Sequence, residues 1–388
     1  MQRVAIESLP VDIGCIMQPD AIAPHPTCAV IDRAAFRHNL DAVRSYVGPE
    51  VRIMAVVKAN AYGHGAIPMA EESLRHGVEF LAVARIHEAL ELRTAGISHP
   101  LLLLEALQPE HVRAALESDI QITVMSVEDA RRLSPSPGTV QVHVKIDTGM
   151  GRLGCDHRVA ADTVESIARL PRVHIAGIYS HFATSEDPDQ SFALEQLDRF
   201  RRVLDELSHR KVEVGLRHMA NSGAIISLPA SHLDMVRPGI MLYGYPPLRG
   251  MVEAHPVRPV MTLRSRVTFL KTVEAGTSVS YGRRWFAPSR SRVATVPIGY
   301  ADGFSRLLTN RSSCLIRGKR YPVVGTVCMD HVMVDVGPEA EVDVGDGVTF
   351  IGADAAEKIS AWDIAATVGT IPYEVTCLVT PRVPRIFR

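Results

Sequence analysis

The chain has 388 residues, 46% hydrophobic and 22% charged, which is the make-up of an ordinary globular protein but too long for one usual core. Its 42 basic and 43 acidic residues leave a formal net charge of -1, which excludes the electrostatic footprint of a nucleic-acid or anionic-membrane binder. Six scattered cysteines form no CxxC pair, so they read as reduced thiols and not as a disulfide framework or zinc site.

The first 25 residues are irregular and Pro-containing and receive no function. Glu7, Pro10 and Asp12 interrupt any leader-like pattern, and no apolar run spans a bilayer, so the expected home is the cytoplasm. The stretch from Ile53 to Val57 is apolar without alternation, as in a parallel strand buried on both faces. It ends on Lys58, followed by Tyr62, Gly63 and Gly65. A lysine at a desolvated strand rim can act as an amine nucleophile, although an arbitrary strand-final lysine more often escapes to solvent. Short apolar runs then recur at 52–58, 80–84, 100–104, 120–124, 140–146, 174–181, 214–219 and 234–241. Helical patterns lie between them, and the clearest spans 189–209 with Leu197, Phe200, Leu204 and Leu207 on one face. Eight strand–helix units predict a (β/α)8 barrel, with Lys58, Lys145, His181, Asn221 and Arg237 at or just past strand ends. A doubly wound sheet would also gather its strand ends along one edge.

Pro246, Pro247, Pro256 and Pro259 mark a boundary. Beyond it, strand-like runs at 266–273, 292–296, 323–327, 331–336 and 347–351, with one helix near 360–368, predict a mainly β C-terminal domain. The expected division is an extension over 1–27, the barrel over 28–256 and the β-domain over 257–388.

Gly149, Gly151 and Gly154 formally match GxGxxG and raise a nicotinamide oxidoreductase as a rival. That fingerprint belongs in the first strand-to-helix turn of a dinucleotide fold, whereas here it follows the fifth strand, so glycines making a tight turn are the better reading. Arg152 within the loop could hold a carboxylate. Asn221-Ser222-Gly223 and Arg237-Pro238-Gly239-Ile240 stand where such barrels bind phosphate, together with Tyr62 across the rim. Simple turn chemistry would use the same residues. By themselves, Tyr281 reads as a half-buried strand tyrosine and Cys328 as a structural thiol, and no histidine spacing supports a metal.

Taken together, VVKANAYGHG (56–65), KIDTGMGRLG (145–154), YSHFATSED (179–187), HMANSGA (218–224), MVRPGIMLYG (235–244), VSYG (279–282), PIGYADG (297–303), GTVCMD (325–330), and YEV with RVPR near the end resemble the alanine racemases. The resemblance runs from about Cys28 to Phe387. It implies a pyridoxal 5'-phosphate enzyme in which Lys58 holds the cofactor aldehyde covalently. It further implies that Tyr62, Ser222, Gly239, Ile240 and Tyr373 contact the phosphate, that His181 and Asn221 line the cofactor site, and that Arg237 faces the pyridine nitrogen. Lys145 would be carbamylated and orient Arg152, which holds the substrate carboxylate. Lys58 would serve the D face of alanine and Tyr281 of the partner subunit the L face, with Arg152 and His181 as sources of positive charge to activate the phenol. Met329 would contribute from the neighbouring subunit. Arg283-Arg284 after VSYG depart from the smaller residue usual at the second position.

The expectation is therefore a homodimeric, cytoplasmic alanine racemase supplying D-alanine for peptidoglycan, with no nucleic-acid or membrane partner. A broader or serine-preferring racemase of the same fold, the nicotinamide enzyme and a cofactor carrier lacking the second base are the rivals.

Overall fold

A computed structural model describes residues 25–134, 138–247 and 257–388; most of the expected N-terminal extension and Pro256 lie outside them. The apolar runs form parallel strands: β2 Arg52–Val56, β3 Phe80–Val83, β4 Leu101–Leu103, β5 Gln121–Val124, β6 Val140–Asp147, β8 Val173–Tyr179, β9 Leu216–His218 and β10 Met235–Val236. Two more, β1 Cys28–Ile31 and β7 Cys155–Asp156, precede and interrupt the series. The order β5-β4-β3-β2-β10-β9-β8-β6 is closed into a ring by β5 pairing with β6. Eight parallel strands around one axis make the (β/α)8 barrel that the repeat count predicts. The strands are buried on both faces, which is why they read as unbroken apolar runs.

The last barrel strand is much shorter than expected. The run 234–241 stops at Val236 because Pro238 cannot extend a ladder, and Ile240–Tyr243 is a 3-10 turn. The helix of 189–209 is Ser191–His209, and it buries Ala193, Leu197, Phe200, Val203 and Leu207. Val203, not Leu204, completes its buried stripe.

The C-terminal third is the expected mainly β domain. Its strands are β11 Met261–Arg266, β12 Phe269–Val273, β13 Ser278–Val279, β14 Trp285–Phe286, β15 Ser291–Val296, β16 Ser313–Ile316, β17 Lys319–Val324, β18 Val332–Gly337, β19 Gly347–Asp354, β20 Glu357–Ile359 and β21 Arg385–Phe387. The run expected as one strand over 266–273 is two, broken at Val267 and Thr268. The expected helix is Ala361–Val368, capped by the Ser360 side chain. A second helix, Pro372–Cys377, follows it. β1 leaves the barrel and joins this sheet, antiparallel to β11 and parallel to β21. Buried Asn39 strengthens the junction: its amide donates to the carbonyls of Leu242 (3.0 Å) and Arg258 (2.8 Å). Its oxygen accepts the Arg258 N–H at 2.7 Å.

Candidate active site

Lys58 does not end a strand as the sequence suggests. β2 stops at Val56, and after Lys58 the backbone turns left-handed, with φ of 53°, 54°, 52° and 53° at Ala59, Asn60, Ala61 and Tyr62. Left-handed φ at non-glycine residues costs roughly 1–2 kcal/mol each, so surrounding structure must enforce it. Asn60 closes the turn locally, its side-chain oxygen accepting the Ala66 N–H at 2.8 Å. At Gly63 (φ 85°) a Cβ would stand 2.1 Å from the carbonyl oxygen of Thr376, so the helix Pro372–Cys377 lies directly on the turn. Arg385 Nε donates to the Gly63 carbonyl at 2.9 Å, while its Nη1 holds Thr380 and Val383 at 2.6 and 2.7 Å.

A polar column fills the barrel interior where aliphatic layers would be usual. Arg237 Nη1 donates to Nδ1 of His218 at 2.9 Å, and Nε2 of His218 meets Nδ1 of His143 at 2.8 Å. Nε2 of His143 reaches Oε1 of Gln121 at 2.8 Å. Because a guanidinium only donates, both histidines carry their proton on Nε2. Burial, reinforced by Arg237, lowers both, His143 to about 3, so they remain neutral. Gly177 makes this possible, since a Cβ there would lie 2.4 Å from the His143 ring. Tyr179 stacks on His218 at 4.8 Å. Arg237 also donates through Nη2 to the Ser180 carbonyl at 2.7 Å and to Nδ1 of His181 at 3.2 Å. Burial lowers Arg237 only to about 10, so it stays cationic at neutral pH.

Opposite Lys58, Ser222, Gly223 and Ile240 stand in the first turns of their helices, where N–H groups have no intrahelical acceptor. Asn221 caps the first of these turns by accepting the Ala224 N–H at 3.0 Å. Ser222 Oγ accepts the Gly239 N–H at 2.9 Å. A Cβ at Gly239 would come 2.4 Å from the Tyr62 hydroxyl oxygen. Tyr62 packs between Tyr243 and Tyr373, at centroid distances of 4.8 and 6.0 Å. Burial pushes its phenol far above the usual range, so it remains a neutral hydrogen-bond donor.

These elements surround a cavity of about 480 Å³ that includes Lys58, Lys145, Arg152 and Arg237 against only Glu105 and Glu186. Burial first, and Arg152 next, lower Lys58, with Glu88 opposing them. Burial, Arg152 and Arg237 bring Lys145 down to about 8. Asp147 does not pair with Lys145, because its carboxylate accepts the N–H groups of Gly149 and Gly151 at 2.9–3.2 Å. The surplus of crowded cations, the free-standing first-turn amides and the neutral Tyr62 donor all fit an anionic ligand. They fit pyridoxal phosphate in particular, whose aldehyde Lys58 would hold and whose phosphate the Ser222, Gly223 and Ile240 amides would receive.

The structure gathers Lys58, Tyr62, Lys145, Arg152, His181, Asn221, Ser222, Arg237, Gly239, Ile240 and Tyr373 around this cavity. Tyr281 and Met329 do not line it; they stand 71% and 51% exposed on the β-domain. They belong to one surface, because Ser280 Oγ donates to the Thr326 carbonyl and Thr326 Oγ1 to the Tyr281 carbonyl, both at 2.6 Å. His181 is held well below its ordinary value by burial and by the neighbouring cations. It is therefore neutral and supplies no positive charge, contrary to the sequence-based expectation. Glu105, Glu186 and Ile371 also line the cavity and were not singled out by the sequence. His143 and Gln121 were likewise missed; a histidine two residues before Lys145 in the same strand shares its face and was the available signal. The GxGxxG match forms a loop between β6 and β7, with no helix N-terminus to receive a pyrophosphate. This removes the structural basis of the nicotinamide reading.

Comparison with known proteins agrees. The family model for the alanine racemase N-terminal domain matches residues 31–247, and that for the C-terminal domain matches 260–387. The chain is 43% identical over 367 residues to alanine racemase 2 of Caldanaerobacter subterraneus subsp. tengcongensis, covering 93% of this chain and 95% of that protein. With the alanine racemase of Halothermothrix orenii it shares 42% over 367 residues, covering 94% and 97%. The solved alanine racemase of Clostridium difficile 630 superposes with a TM-score of 0.90 at 34% identity, covering 94% of this chain and 96% of that one. That of Bacillus anthracis with bound L-Ala-P gives 0.89 at 35%, covering 95% and 96%. The chain belongs to the alanine racemase family, the pyridoxal-phosphate-dependent isomerases built from a (β/α)8 barrel and a mainly β C-terminal domain.

Proposed function

We propose that this chain interconverts L- and D-alanine with two bases on opposite faces of Cα, in a homodimer whose active sites are shared. Lys58 serves the D face, and Tyr281 of the partner subunit serves the L face. The observation that carries this reading is the separation of the pair. Lys58 is at the cavity, whereas Tyr281 stands 71% exposed on a surface shared with Met329. An exposed tyrosine and methionine on one surface support a subunit contact there, and a two-fold dimer would complete two sites at once.

When bound, pyridoxal phosphate withdraws electron density from Cα and so makes its proton removable. The remaining work falls to the protein. Arg237, which keeps its proton at neutral pH, would meet the ring nitrogen as a donor only, and a ring nitrogen that gains no proton would be a weaker electron sink with fewer side reactions. Arg152 holds the substrate carboxylate and supplies the positive charge that activates the Tyr281 phenol. Lys145 is suited to carbamylation, since its value of about 8 gives a substantial neutral fraction near pH 7. Carbamylation would turn one crowded cation into an anion beside Arg152. The product D-alanine would serve peptidoglycan synthesis in the cytoplasm; among the described residues, no helix is long and apolar enough to cross a membrane.

Purified protein should be yellow, be bleached by borohydride with the cofactor fixed on Lys58, and racemise alanine in preference to serine. Colourless protein that binds NADH would overturn the proposal; equal rates on serine would broaden the substrate class.

A further inference from the structure

The left-handed turn after Lys58 is held at its far end by Gly63, Thr376 and Arg385. At its near end the hold comes from a residue outside the cavity lining. The N–H of Ala59, the peptide immediately after the lysine, donates to Oε1 of Glu88 at 2.6 Å. The other carboxylate oxygen, Oε2, accepts the N–H groups of Ala84 and Arg85, both at 2.9 Å. Ala84 and Arg85 follow β3, which pairs in parallel with β2 through Val56 and Ala82. One carboxylate thus joins the ends of two adjacent barrel strands, one oxygen to each. A neutral side chain cannot do this, because an amide offers only one acceptor oxygen and would point its NH2 at an N–H.

We propose that Glu88 is a positioning residue for Lys58, fixing the peptide that follows the lysine to the neighbouring strand end and so setting where the amine stands in the cavity. The inference rests on the proposed role of Lys58 in holding the cofactor. The bland account is that Glu88 caps only its own helix, Ile86–Thr94, through the Arg85 N–H. It leaves the bond to Ala59, 29 residues away, without a purpose. The charge matters as well. Arg152 and Arg237 face Lys58 as cations, with Lys145 joining them until it is carbamylated and the Cys377 thiol also nearby, and Glu88 is an anion that offsets their repulsion.

The test compares wild type, Glu88→Gln and Glu88→Asp in the full-length protein as purified. Hydrogen exchange of a peptide covering 59–63 should be at least about tenfold faster in Glu88→Gln, as expected for loss of a charge-assisted bond. Pyridoxal phosphate should bind about tenfold more weakly. The pH midpoint at which the Lys58-linked chromophore changes absorbance should fall, because an anion that favours the protonated form is gone. Glu88→Asp keeps the charge and can still cap its helix, but is one methylene too short for Ala59; it should show the faster exchange at 59–63 with helix 86–94 protected. Faster exchange confined to 86–94 in Glu88→Gln, with 59–63 and the absorbance midpoint unchanged, would overturn the proposal. So would wild-type protection of 59–63 in Glu88→Asp. Failure of wild type to take up cofactor on Lys58 would instead overturn the proposed function, and the exchange comparison, which needs no cofactor, would still decide the role of Glu88.

Discussion

Arg237 donates to Nδ1 of His218 at 2.9 Å, and because arginine never accepts, this contact fixes the proton on every ring beneath it. Arg237, His218 and His143 each donate downward to the next group, and Oε1 of Gln121 accepts at the foot of the column. The orientation of Arg237 in the cavity is therefore supported from inside the barrel.

His143→Leu should expose this dependence. It leaves the Nε2–H of His218 buried without an acceptor, which costs roughly 1–3 kcal/mol. Urea unfolding should show that loss, and cofactor affinity should fall with it as Arg237 loses its footing. Unchanged unfolding with unchanged cofactor binding would show that the column does not support Arg237.

Stability should fall with acid in a defined window. Burial lowers His64 to about 4 and His143 to about 3 in the folded chain. Below the unfolded value of 6.5 the unfolded chain takes up protons that the folded one refuses, so this stability is complete above pH 6.5. It is lost as pH drops toward 4, by about 1.4 kcal/mol per pH unit for each histidine once well below 6.5. Denaturant midpoints measured from pH 7 to pH 4.5 should decline with that slope, and less steeply in His143→Leu.

Lys58→Ala should abolish racemisation and borohydride fixation while the melting temperature of the cofactor-free chain changes little, since Lys58 carries little of the core. Gly63→Ala should do the reverse of a clean chemical lesion. Its Cβ would press within 2.1 Å of the Thr376 carbonyl at a φ of 85°, so a loss of several kcal/mol is expected by melting, with cofactor binding lost alongside.

Lys145→Ala should lose activity that added chloride or acetate partly restores, because a small anion can take the carbamate position beside Arg152. Mass analysis of the intact site in wild type should find the added carboxylate, and depletion of carbon dioxide should lower the rate. An absence of rescue together with an absence of added mass would return Lys145 to the role of an uncarbamylated cation.

Mixing Lys58→Ala with Tyr281→Ala should restore roughly a quarter of wild-type activity after random reassortment, because half the dimers are mixed and each has one intact site. Co-expression is the safer route, since a large interface exchanges slowly. Mixed dimers confirmed by mass yet inactive would end the shared-site model.

The barrel was legible because parallel strands buried on both faces leave unbroken apolar runs, as in Phe80–Val83 and Leu101–Leu103. The gathering of Lys58, Lys145, His181, Asn221 and Arg237 at or just past strand ends, around one cavity, followed from the same count. The break between β11 and β12, and β1 joining β21, were not legible. A strand of four residues pairing with one of three at the other end of the chain leaves no local pattern. Nor does Ala59-Asn60-Ala61-Tyr62 announce a left-handed turn, because alanine and tyrosine avoid that conformation and only Asn60 tolerates it readily. Glu88 from 29 residues away and Arg385 from 322 residues away impose it on the loop that carries Lys58. By itself, the sequence determined what short-range periodicity and residue chemistry can encode: the eight strands of the barrel, its clearest helices and the family to which the motifs belong. Only the tertiary structure decided where the site's groups point, which buried histidines stay neutral and which tyrosine stands outside the cavity, because contacts between distant segments set each of these.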